Sequence, residues 1–307
     1  MKIAYLILCH TDPKHIARLA EKVTKDTDDE VFVHVDRKSD IVPFEQELRE
    51  NTYAHIIKQR LNVYWGGYSS IEATIELFRT ALSTGYYDRF VILQGLEYPI
   101  KTNRKIHEFF EVNKDKEFIR AQNITDCDNK REIHKYYLYW PLDGKHKSLI
   151  DWIVCGVNSK IFLKTGIIPH FKKNYALDAS GGHMAIYQGC AQFGVTRCLA
   201  EYIVRFHDEN ASFNRYFKSM YAPDESYFHT IVYNSSFIVK TPDGKAVTRP
   251  CLTDFCNLTY FEYPAVVKLF SKKDEWIKLR DSGFLFFRKA SSESKELLDY
   301  IDEIHKK

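Results

Sequence analysis

A Pro-Asp-Glu turn at residues 223–225 carries the carboxylate that is best placed for chemistry in this chain of 307 residues. Pro223 discourages a helix from running into the turn, and the apolar, aromatic segment that follows favours a helix. Asp224 is expected to cap that helix, because its short carboxylate can accept a backbone N–H that the first turn leaves unpaired. Glu225 is not needed for the cap, so we interpret it as a candidate general base.

Two adjacent cations near the end of the chain suit the stabilisation of a departing anion. Arg288 and Lys289 end an apolar run that begins at Phe284. Arginine can grip a diphosphate with two parallel hydrogen bonds, whereas lysine supplies a compact charge. The alternative interpretation is the solvated end of a strand.

Hydrophobic periodicity predicts the elements that must position these side chains. Short β-rich runs alternate with helical patterns, which indicates an α/β fold with a mostly parallel sheet and helices on both faces. The predicted strands are residues 3–9, 30–36, 89–94 and 284–289, and the predicted helices are residues 13–25, 68–83, 188–206 and those from 294 onward. No linker interrupts the sequence, so one large domain is expected.

Parallel strands present their carboxyl ends at one edge of a sheet, where α/β proteins bind ligands. His10, Asp36 and the turn at residues 94–99 are therefore expected to gather at one rim. We interpret Asp36 as a contact to a nucleotide base or ribose, with a loop cap as an equally weighted alternative. In the turn, Glu97 is available to bind hydroxyls, and Glu97 and Tyr98 are assigned to the substrate site. An ordinary strand-to-helix connection is the alternative.

Three further segments are weaker candidates for ligand contact. Trp65 precedes two glycines, which suits close approach of a ligand but equally suits a tight turn with Ser69 as the helix N-cap. A polar loop with Lys130 and Arg131, and the turn around Gly182, suit the lining of a sugar site, although their chemistry fits many glycans.

Composition argues against several other classes of protein. The 44 basic and 41 acidic residues give a formal net charge of +3, too small for a nucleic-acid footprint. No run approaches the roughly 20 apolar residues that a membrane span needs, so neither a transmembrane segment nor a cleavable signal is expected. The 7 cysteines are scattered without zinc-ligand spacing, which indicates buried thiols and a cytoplasmic location.

Six stretches, in order along nearly the whole chain, resemble the core-2/I-branching β-1,6-N-acetylglucosaminyltransferase family, which also includes peptide O-xylosyltransferases. The stretches are IAYLILCH at residues 3–10, VHVDRKS at 33–39, WGGYS at 65–69, LQGLEYPI at 93–100, PDE at 223–225 and SGFLFFRK at 282–289. The resemblance implies a GT-A-like, Rossmann-type fold, a UDP-sugar donor, a glycan acceptor, inversion at the anomeric carbon and no metal cofactor. It further implies that residues 1–120 form a nucleotide-binding half of the single domain and residues 121–307 an acceptor and catalytic half.

Residue by residue, the resemblance implies a role for each matching side chain. Glu225 stands at the position of the family's general base, Lys289 at that of its diphosphate-binding lysine, and Asp36 at that of a contact to the uracil region. Arg288 belongs to an ending, Phe-x-Arg-Lys, that is shared with xylosyltransferases and bacterial-type members. Glu97 stands where the family commonly has aspartate.

The resemblance also sets expectations for the whole protein. We expect a bacterial-type member that transfers N-acetylglucosamine, with xylose as the alternative, and whose donor site also includes His10 and Trp65. Residues 259–270 lack the second diphosphate-binding arginine of animal members, so Arg249 or Arg288 is expected to substitute. A lipid-linked acceptor would bring peripheral membrane association, and no nucleic acid is expected as a partner. The rival hypothesis is a non-catalytic module that binds nucleotide or glycan.

Overall fold

The computed structural model describes residues 1–127, 173, 175–247 and 255–306. The strands in these residues are β1 (Ile3–Cys9), β2 (Glu30–Val35), β3 (Ala54–Ile56), β4 (Arg89–Leu93), β5 (Glu97–Pro99), β6 (Gln122–Asn123), β7 (Tyr175–Leu177), β8 (His183–Ala185), β9 (Tyr187–Gln188), β10 (Gly194–Thr196), β11 (Thr259–Phe261) and β12 (Phe286–Arg288). The helices are α1 (Pro13–Thr24), α2 (Val42–Leu48), α3 (Ser69–Thr84), α4 (Asn103–Val112), α5 (Arg197–Glu209), α6 (Ala211–Phe217), α7 (Tyr227–Tyr233), α8 (Trp276–Asp281) and α9 (Lys295–His305).

The largest sheet has the strand order β10-β4-β1-β2-β3. Strand β1 runs parallel to both β2 and β4, β3 runs parallel to β2, and β10 is an antiparallel edge strand. This parallel-rich sheet confirms the predicted α/β class. Because Cys9 lies opposite Val35 and Ile7 lies opposite Leu93, the carboxyl ends of β1, β2 and β4 form one edge, which we call the rim.

Helices cover both faces of this sheet, as predicted. Alternating side chains of β1 enter two separate cores: Ala4 and Leu6 pack on the side of α3, whereas Tyr5 and Ile7 pack on the side of α1. Burying one large apolar side chain contributes about 1.5–3 kcal/mol. A register slip of one residue would reverse both faces, so the two cores fix the position of the rim.

A second, three-stranded sheet brings the end of the chain to the rim. Its order is β11-β12-β5, with β12 antiparallel to β5, which follows β4 closely in sequence. The late strand predicted at residues 284–289 is thereby confirmed, although it is shorter than predicted. Strands β10 and β12, from the second half of the sequence, complete sheets with strands from the first half.

The predicted helix over residues 188–206 is wrong in its first part. Gln188 ends β9, and residues 194–196 form the edge strand β10 before α5 begins at Arg197. Thr196 caps α5, because its hydroxyl oxygen accepts a hydrogen bond from Leu199 N at 3.3 Å. Within the described residues, no helix is both long and apolar enough to cross a bilayer.

Candidate active site

The Pro-Asp-Glu segment forms one 3-10 turn, Pro223–Glu225, that leads directly into helix α7. All seven residues of α7 are buried, so the core fixes the helix and the turn that precedes it. Two backbone hydrogen bonds hold the turn: Ala222 N donates to Gly66 O at 3.0 Å, and Gly189 N donates to Glu225 O at 2.8 Å. Glu225 is partly exposed, while its backbone is fixed by the hydrogen bond to Gly189.

Position 189 requires glycine because two groups approach its backbone closely. A Cβ atom there would collide with the carbonyl oxygen of Arg120 and with the ring of His229. His229 is fully buried, and burial lowers the pKa of its imidazole to about 3. The imidazole of His229, behind the turn, is therefore uncharged near neutral pH.

Asp224 does not cap α7, so that prediction is wrong. The residue lies inside the 3-10 turn, Ser226 occupies the N-cap position of α7, and the Ser226 side chain makes no capping hydrogen bond. Burial, and then the neighbouring carboxylate of Glu225, raise the pKa of Asp224 to about 7, while the positive charge of Arg288 opposes the rise. Arg288 therefore lies close enough to the turn to act on it electrostatically.

Asp224→Asn is expected to change how stability depends on pH. The pKa of Asp224 in the folded protein is raised to about 7, whereas the pKa of an aspartate in an unfolded chain is about 3.9. The unfolded state therefore binds fewer protons across this range, and this group's contribution to stability falls as pH rises from about 4 to 7. Asparagine has no such proton. The melting temperature of the variant minus that of the wild type should rise across this range and level off above it, whereas a constant difference would contradict the assignment.

Arg288 is fixed at the end of β12 by a buried carboxylate. It lies opposite Glu97 in the antiparallel pair of β12 with β5, and Arg288 Nη1 donates to Glu97 Oε1 at 2.6 Å. Glu97 Oε2 accepts hydrogen bonds from Gln94 N at 2.8 Å and from Leu96 N at 3.1 Å. The side chain of Glu97 is 0% exposed. The prediction that Glu97 binds substrate hydroxyls is therefore wrong, because both of its oxygens bind groups of the protein itself.

Lys289 supplies a second positive charge beside Arg288. Its backbone is held on both sides, because Lys289 N donates to Lys268 O at 3.0 Å and Phe270 N donates to Lys289 O at 2.9 Å. Its side chain is partly exposed. Among residues 1–127, 175–247 and 255–306, no carboxylate forms an ion pair with its ammonium group, whereas Lys268 pairs with Glu275 at 2.7 Å. Glu97 balances the charge of Arg288, whereas among these residues no carboxylate balances the charge of Lys289.

The turn and the end of β12 meet around Cys190. A hydrogen bond with Cys256, and then burial, raise the pKa of the Cys190 thiol, Glu225 adds to the rise, and Arg288 opposes it. On one side of Cys190, Gly189 N donates to Glu225 O at 2.8 Å, and on the other side, Gln192 Nε2 donates at 3.4 Å to Glu97 Oε1, the partner of Arg288. The structure therefore brings the predicted base and one predicted cation into one site.

His10 and Asp36 both lie at the rim, as predicted. Asp36 N donates to Cys9 O at 2.8 Å, and Ser39 Oγ donates to the carbonyl oxygen of the exposed His10 at 2.8 Å. The carboxylate of Asp36 accepts a hydrogen bond from Lys38 N at 2.9 Å and pairs with Lys38 Nζ at 2.6 Å. A loop cap is thus the role that the structure shows for Asp36, and contact with a nucleotide stays a prediction for both rim residues.

Trp65 lies beside the turn that carries Glu225. Its side chain is 80% exposed, and its ring meets that of Tyr221 edge to face with the centroids 5.6 Å apart. The next residue, Gly66, accepts the hydrogen bond from Ala222 that holds the turn. An exposed indole next to a polar site is suited to packing against a ligand. Tyr68 occupies the N-cap position of α3 and Ser69 is its first helical residue, so Ser69 does not take the role of N-cap.

Tyr98 belongs to the core, which corrects its assignment to the substrate site. It is 0% exposed, and its hydroxyl donates to Asp302 of α9 at 2.8 Å. Arg18 of α1 also pairs with Asp302, at 2.6 Å. These contacts join α1, β5 and α9, and the tyrosine serves packing because alternation along β5 directs it away from the side that Glu97 occupies.

The remaining predicted contacts lie outside this cluster or outside the described residues. Gly182 lies in the turn between β7 and β8, where Gly182 N donates to Asp178 Oδ1 at 2.7 Å and Asp178 N donates to Gly182 O at 3.0 Å. Turn formation accounts for these contacts, and a role in sugar binding stays a prediction. Lys130, Arg131 and Arg249 fall outside the described residues.

Sequence reasoning missed two features of the site. Gln192 Nε2 donates to Gln94 Oε1 at 3.1 Å and to Glu97 Oε1 at 3.4 Å, so it joins the group that holds Arg288. The Sγ atoms of Cys190 and Cys256 lie 2.9 Å apart, although 66 positions separate these residues. No spacing rule could have joined them. In the described parts of the chain, no three His, Cys, Asp or Glu side chains are grouped so that they could hold a metal ion.

Residues 3–242 match the model of a protein family described as Core-2/I-Branching enzyme. The matched range includes the turn with Glu225 and ends before Arg288 and Lys289. Human Xylosyltransferase 2 is 26% identical to this chain over 242 residues, a match that covers 76% of this chain and 25% of that protein. Xylosyltransferase of Ciona intestinalis is 22% identical over 321 residues, covering 98% of this chain and 34% of that protein.

The chain thus spans about a quarter to a third of the length of these curated relatives. Among solved structures, the apo form of mouse Xyloside xylosyltransferase 1 is 10% identical in sequence. The superposition covers 96% of this chain and 99% of that chain, with a TM-score of 0.35.

Proposed function

The chain belongs to the core-2/I-branching enzyme family, whose model matches residues 3–242, and on this premise we propose that it is a glycosyltransferase. The proposed reaction moves a sugar from a UDP-sugar to a hydroxyl group of a glycan acceptor, with inversion at the anomeric carbon. The proposed donor site is the rim, where His10 and Asp36 lie, together with Trp65 and the end of β12. A GT-A-like organisation of a single domain belongs to the same proposal.

One observation carries this proposal: residues 189–192 connect a partly exposed glutamate with a fixed cation. Gly189 N donates to Glu225 O at 2.8 Å, and Gln192 Nε2 donates at 3.4 Å to Glu97 Oε1, which accepts from Arg288 Nη1 at 2.6 Å. Single-displacement glycosyl transfer needs these two kinds of group, a base for the attacking hydroxyl and positive charge for the departing diphosphate.

In the proposed mechanism, the acceptor oxygen attacks the anomeric carbon while Glu225 takes the hydroxyl proton. The bond from the anomeric carbon to the diphosphate oxygen breaks, and the electron pair leaves with UDP. Lys289 neutralises the charge that develops on the diphosphate, and Arg288 donates directed hydrogen bonds to it. Attack and departure on opposite faces of the sugar produce the inversion. Fixed backbone at both groups means that little reorganisation is needed during the reaction.

The donor sugar is proposed to be xylose or N-acetylglucosamine. The curated relatives with which this chain aligns are named xylosyltransferases, so UDP-xylose is the first donor to examine. UDP-N-acetylglucosamine is the second, because the family includes enzymes that transfer that sugar. The acceptor is proposed to be a glycan hydroxyl, and acceptors carried on a lipid belong in the same screen.

A donor screen tests the proposal. A ligand that binds only the folded state raises the melting temperature, so UDP and the donor sugar nucleotides should raise it, whereas adenosine diphosphate should not. Donors that stabilise the protein are then incubated with it, and release of UDP is followed. The proposal predicts slow UDP release from at least one donor. If sugar nucleotides raise the melting temperature but no UDP is released, with or without candidate acceptors, the result would favour the non-catalytic binding module.

Metal chelation is expected to leave the reaction unchanged. Because side-chain cations are proposed to neutralise the leaving diphosphate, EDTA should alter the rate of UDP release by less than about twofold, a difference of under about 0.4 kcal/mol in activation free energy. The measurement is the initial rate with and without EDTA, followed by addition of Mg²⁺ or Mn²⁺. A strong loss of rate that either ion restores would contradict the proposed role of Lys289 and Arg288.

A further inference from the structure

We propose that Glu97 is a positioning residue for the diphosphate site, and that it holds Arg288 in the orientation in which the guanidinium meets the diphosphate. This inference rests on the proposed function, because it requires a diphosphate in front of Arg288. It also gives Glu97 a role other than the contact with substrate hydroxyls that its position in sequence predicts.

The contacts of Glu97 leave its carboxylate a single orientation. A fully buried charge is costly unless its hydrogen-bonding capacity is satisfied. Here Oε2 accepts two backbone N–H groups, from Gln94 and Leu96, and Oε1 accepts from Arg288 Nη1 and from Gln192 Nε2. The two backbone donors belong to the turn that follows β4. The carboxylate is therefore anchored to the rim and can hold the guanidinium in a constant position.

Arg288 keeps donors for a ligand after this pairing. A guanidinium has five N–H groups in a planar fork, and the hydrogen bond to Glu97 uses one at Nη1. The side chain of Arg288 is 16% exposed, and within the described ranges no other acceptor is recorded for it. Its partner Glu97 also binds Gln192, which follows Gly189, the donor to Glu225 O, by three residues, so a short segment connects the Glu97–Arg288 pair with the turn that carries Glu225.

The pairing of Glu97 with Arg288 also gives the two cations different roles in binding a diphosphate. Glu97 and Arg288 together carry no net charge, so Lys289 supplies most of the long-range attraction for a dianion. Arg288 contributes directed hydrogen bonds, whose value depends on orientation. Loss of Glu97 should therefore harm the recognition of phosphate groups and spare the recognition of the nucleoside.

The variant Glu97→Gln tests the positioning role of Glu97, because it removes the negative charge with little change of side-chain volume. Because the oxygen at the position of Oε2 must keep accepting two backbone N–H groups, the new amide must turn its NH₂ group toward Arg288 Nη1. Donor then faces donor, and the guanidinium loses its orientation. Glu117→Gln is a matched control: Glu117 is also fully buried, and its carboxylate accepts from Thr196 N at 2.8 Å and Thr196 Oγ1 at 2.5 Å. It lies beside the start of β4, at the edge of the sheet opposite the rim.

The measurement is calorimetric binding of UDP and of uridine, which lacks phosphates, with the melting temperature of each protein. Glu97→Gln is expected to lower the affinity for UDP about tenfold, the scale of one charge-assisted hydrogen bond, and to change the affinity for uridine less than about twofold. Glu117→Gln should lower the melting temperature without lowering the affinity for UDP more than that for uridine. In the Arg288→Gln background, Glu97→Gln should not lower the affinity for UDP further, because the partner of Glu97 is already absent.

Different outcomes separate this inference from the proposed function. If the wild type binds no UDP, the proposed function fails. If the wild type binds UDP and Arg288→Gln weakens it while Glu97→Gln does not, the positioning role alone is overturned. If Glu97→Gln lowers the affinities for UDP and for uridine equally, the positioning role is also overturned, because equal losses of affinity indicate a general structural defect.

Discussion

Glu225→Gln is expected to lower the rate of sugar transfer by at least about a hundredfold and to change UDP affinity by less than about threefold. General base catalysis contributes about 10²–10⁴-fold in enzymes, and an amide cannot accept the proton of the attacking hydroxyl. Glutamine has nearly the same size, so the turn Pro223–Glu225 and its backbone hydrogen bonds should persist. The loss should therefore fall on kcat, which marks an interaction made in the transition state.

This result is measured as kcat for transfer beside calorimetric affinity for UDP. Glu209→Gln is the control, since Glu209 is an exposed glutamate at the end of α5. It should leave both quantities unchanged. Unaltered kcat in Glu225→Gln would remove Glu225 from the mechanism, and a large fall in UDP affinity would give it a binding role instead.

Lys289→Ala is expected to lower the affinity for UDP about tenfold to a hundredfold and also to lower kcat. The ammonium of Lys289 has no carboxylate partner in the parts of the chain that the structure describes, so its full charge is available to a diphosphate. That charge should stabilise the leaving group more strongly as the bond breaks, so both binding and chemistry depend on it. One charge-assisted contact is worth about 1.5–3 kcal/mol, which sets the expected range.

Salt provides a second readout for the same variant. Wild-type affinity for UDP should fall as ionic strength rises, and the slope should be shallower in Lys289→Ala, because screening acts on the charge that the variant has lost. Lys295→Ala is the control: it removes one positive charge from the exposed surface of α9, where Lys295 pairs with Asp299 at 2.5 Å. If Lys289→Ala binds UDP like the wild type, Lys289 is not part of the diphosphate site.

The elements that could be predicted from sequence are those whose side chains alternate or repeat locally. Strand β1 and helix α1 form within one residue of their predicted ends, because β1 is a short apolar run buried on both faces and α1 buries one regular face. Strands β9 and β10 have two and three residues, too short to show alternation, and they carry pairings with distant strands. Periodicity therefore extended the following helix too far toward its N-terminus.

The same limit applies to the site. Sequence identified Glu225 because a proline and an apolar helix define its turn locally, and it placed His10 and Asp36 at one rim because parallel strands share an edge. It could not show that Glu97 binds Arg288, since 191 positions separate them. Nor could it show that α9 covers Tyr98, because that burial depends on packing between opposite ends of the chain.

A crystal structure of the protein with UDP bound would show where the base and the two cations lie relative to the nucleotide. We expect the diphosphate within hydrogen-bonding distance of Arg288 and Lys289, the uracil at the rim near Asp36, and the Glu225 carboxylate facing the position of the transferred sugar. A diphosphate bound away from the end of β12, or a Glu225 carboxylate directed away from the bound nucleotide, would contradict the proposed mechanism.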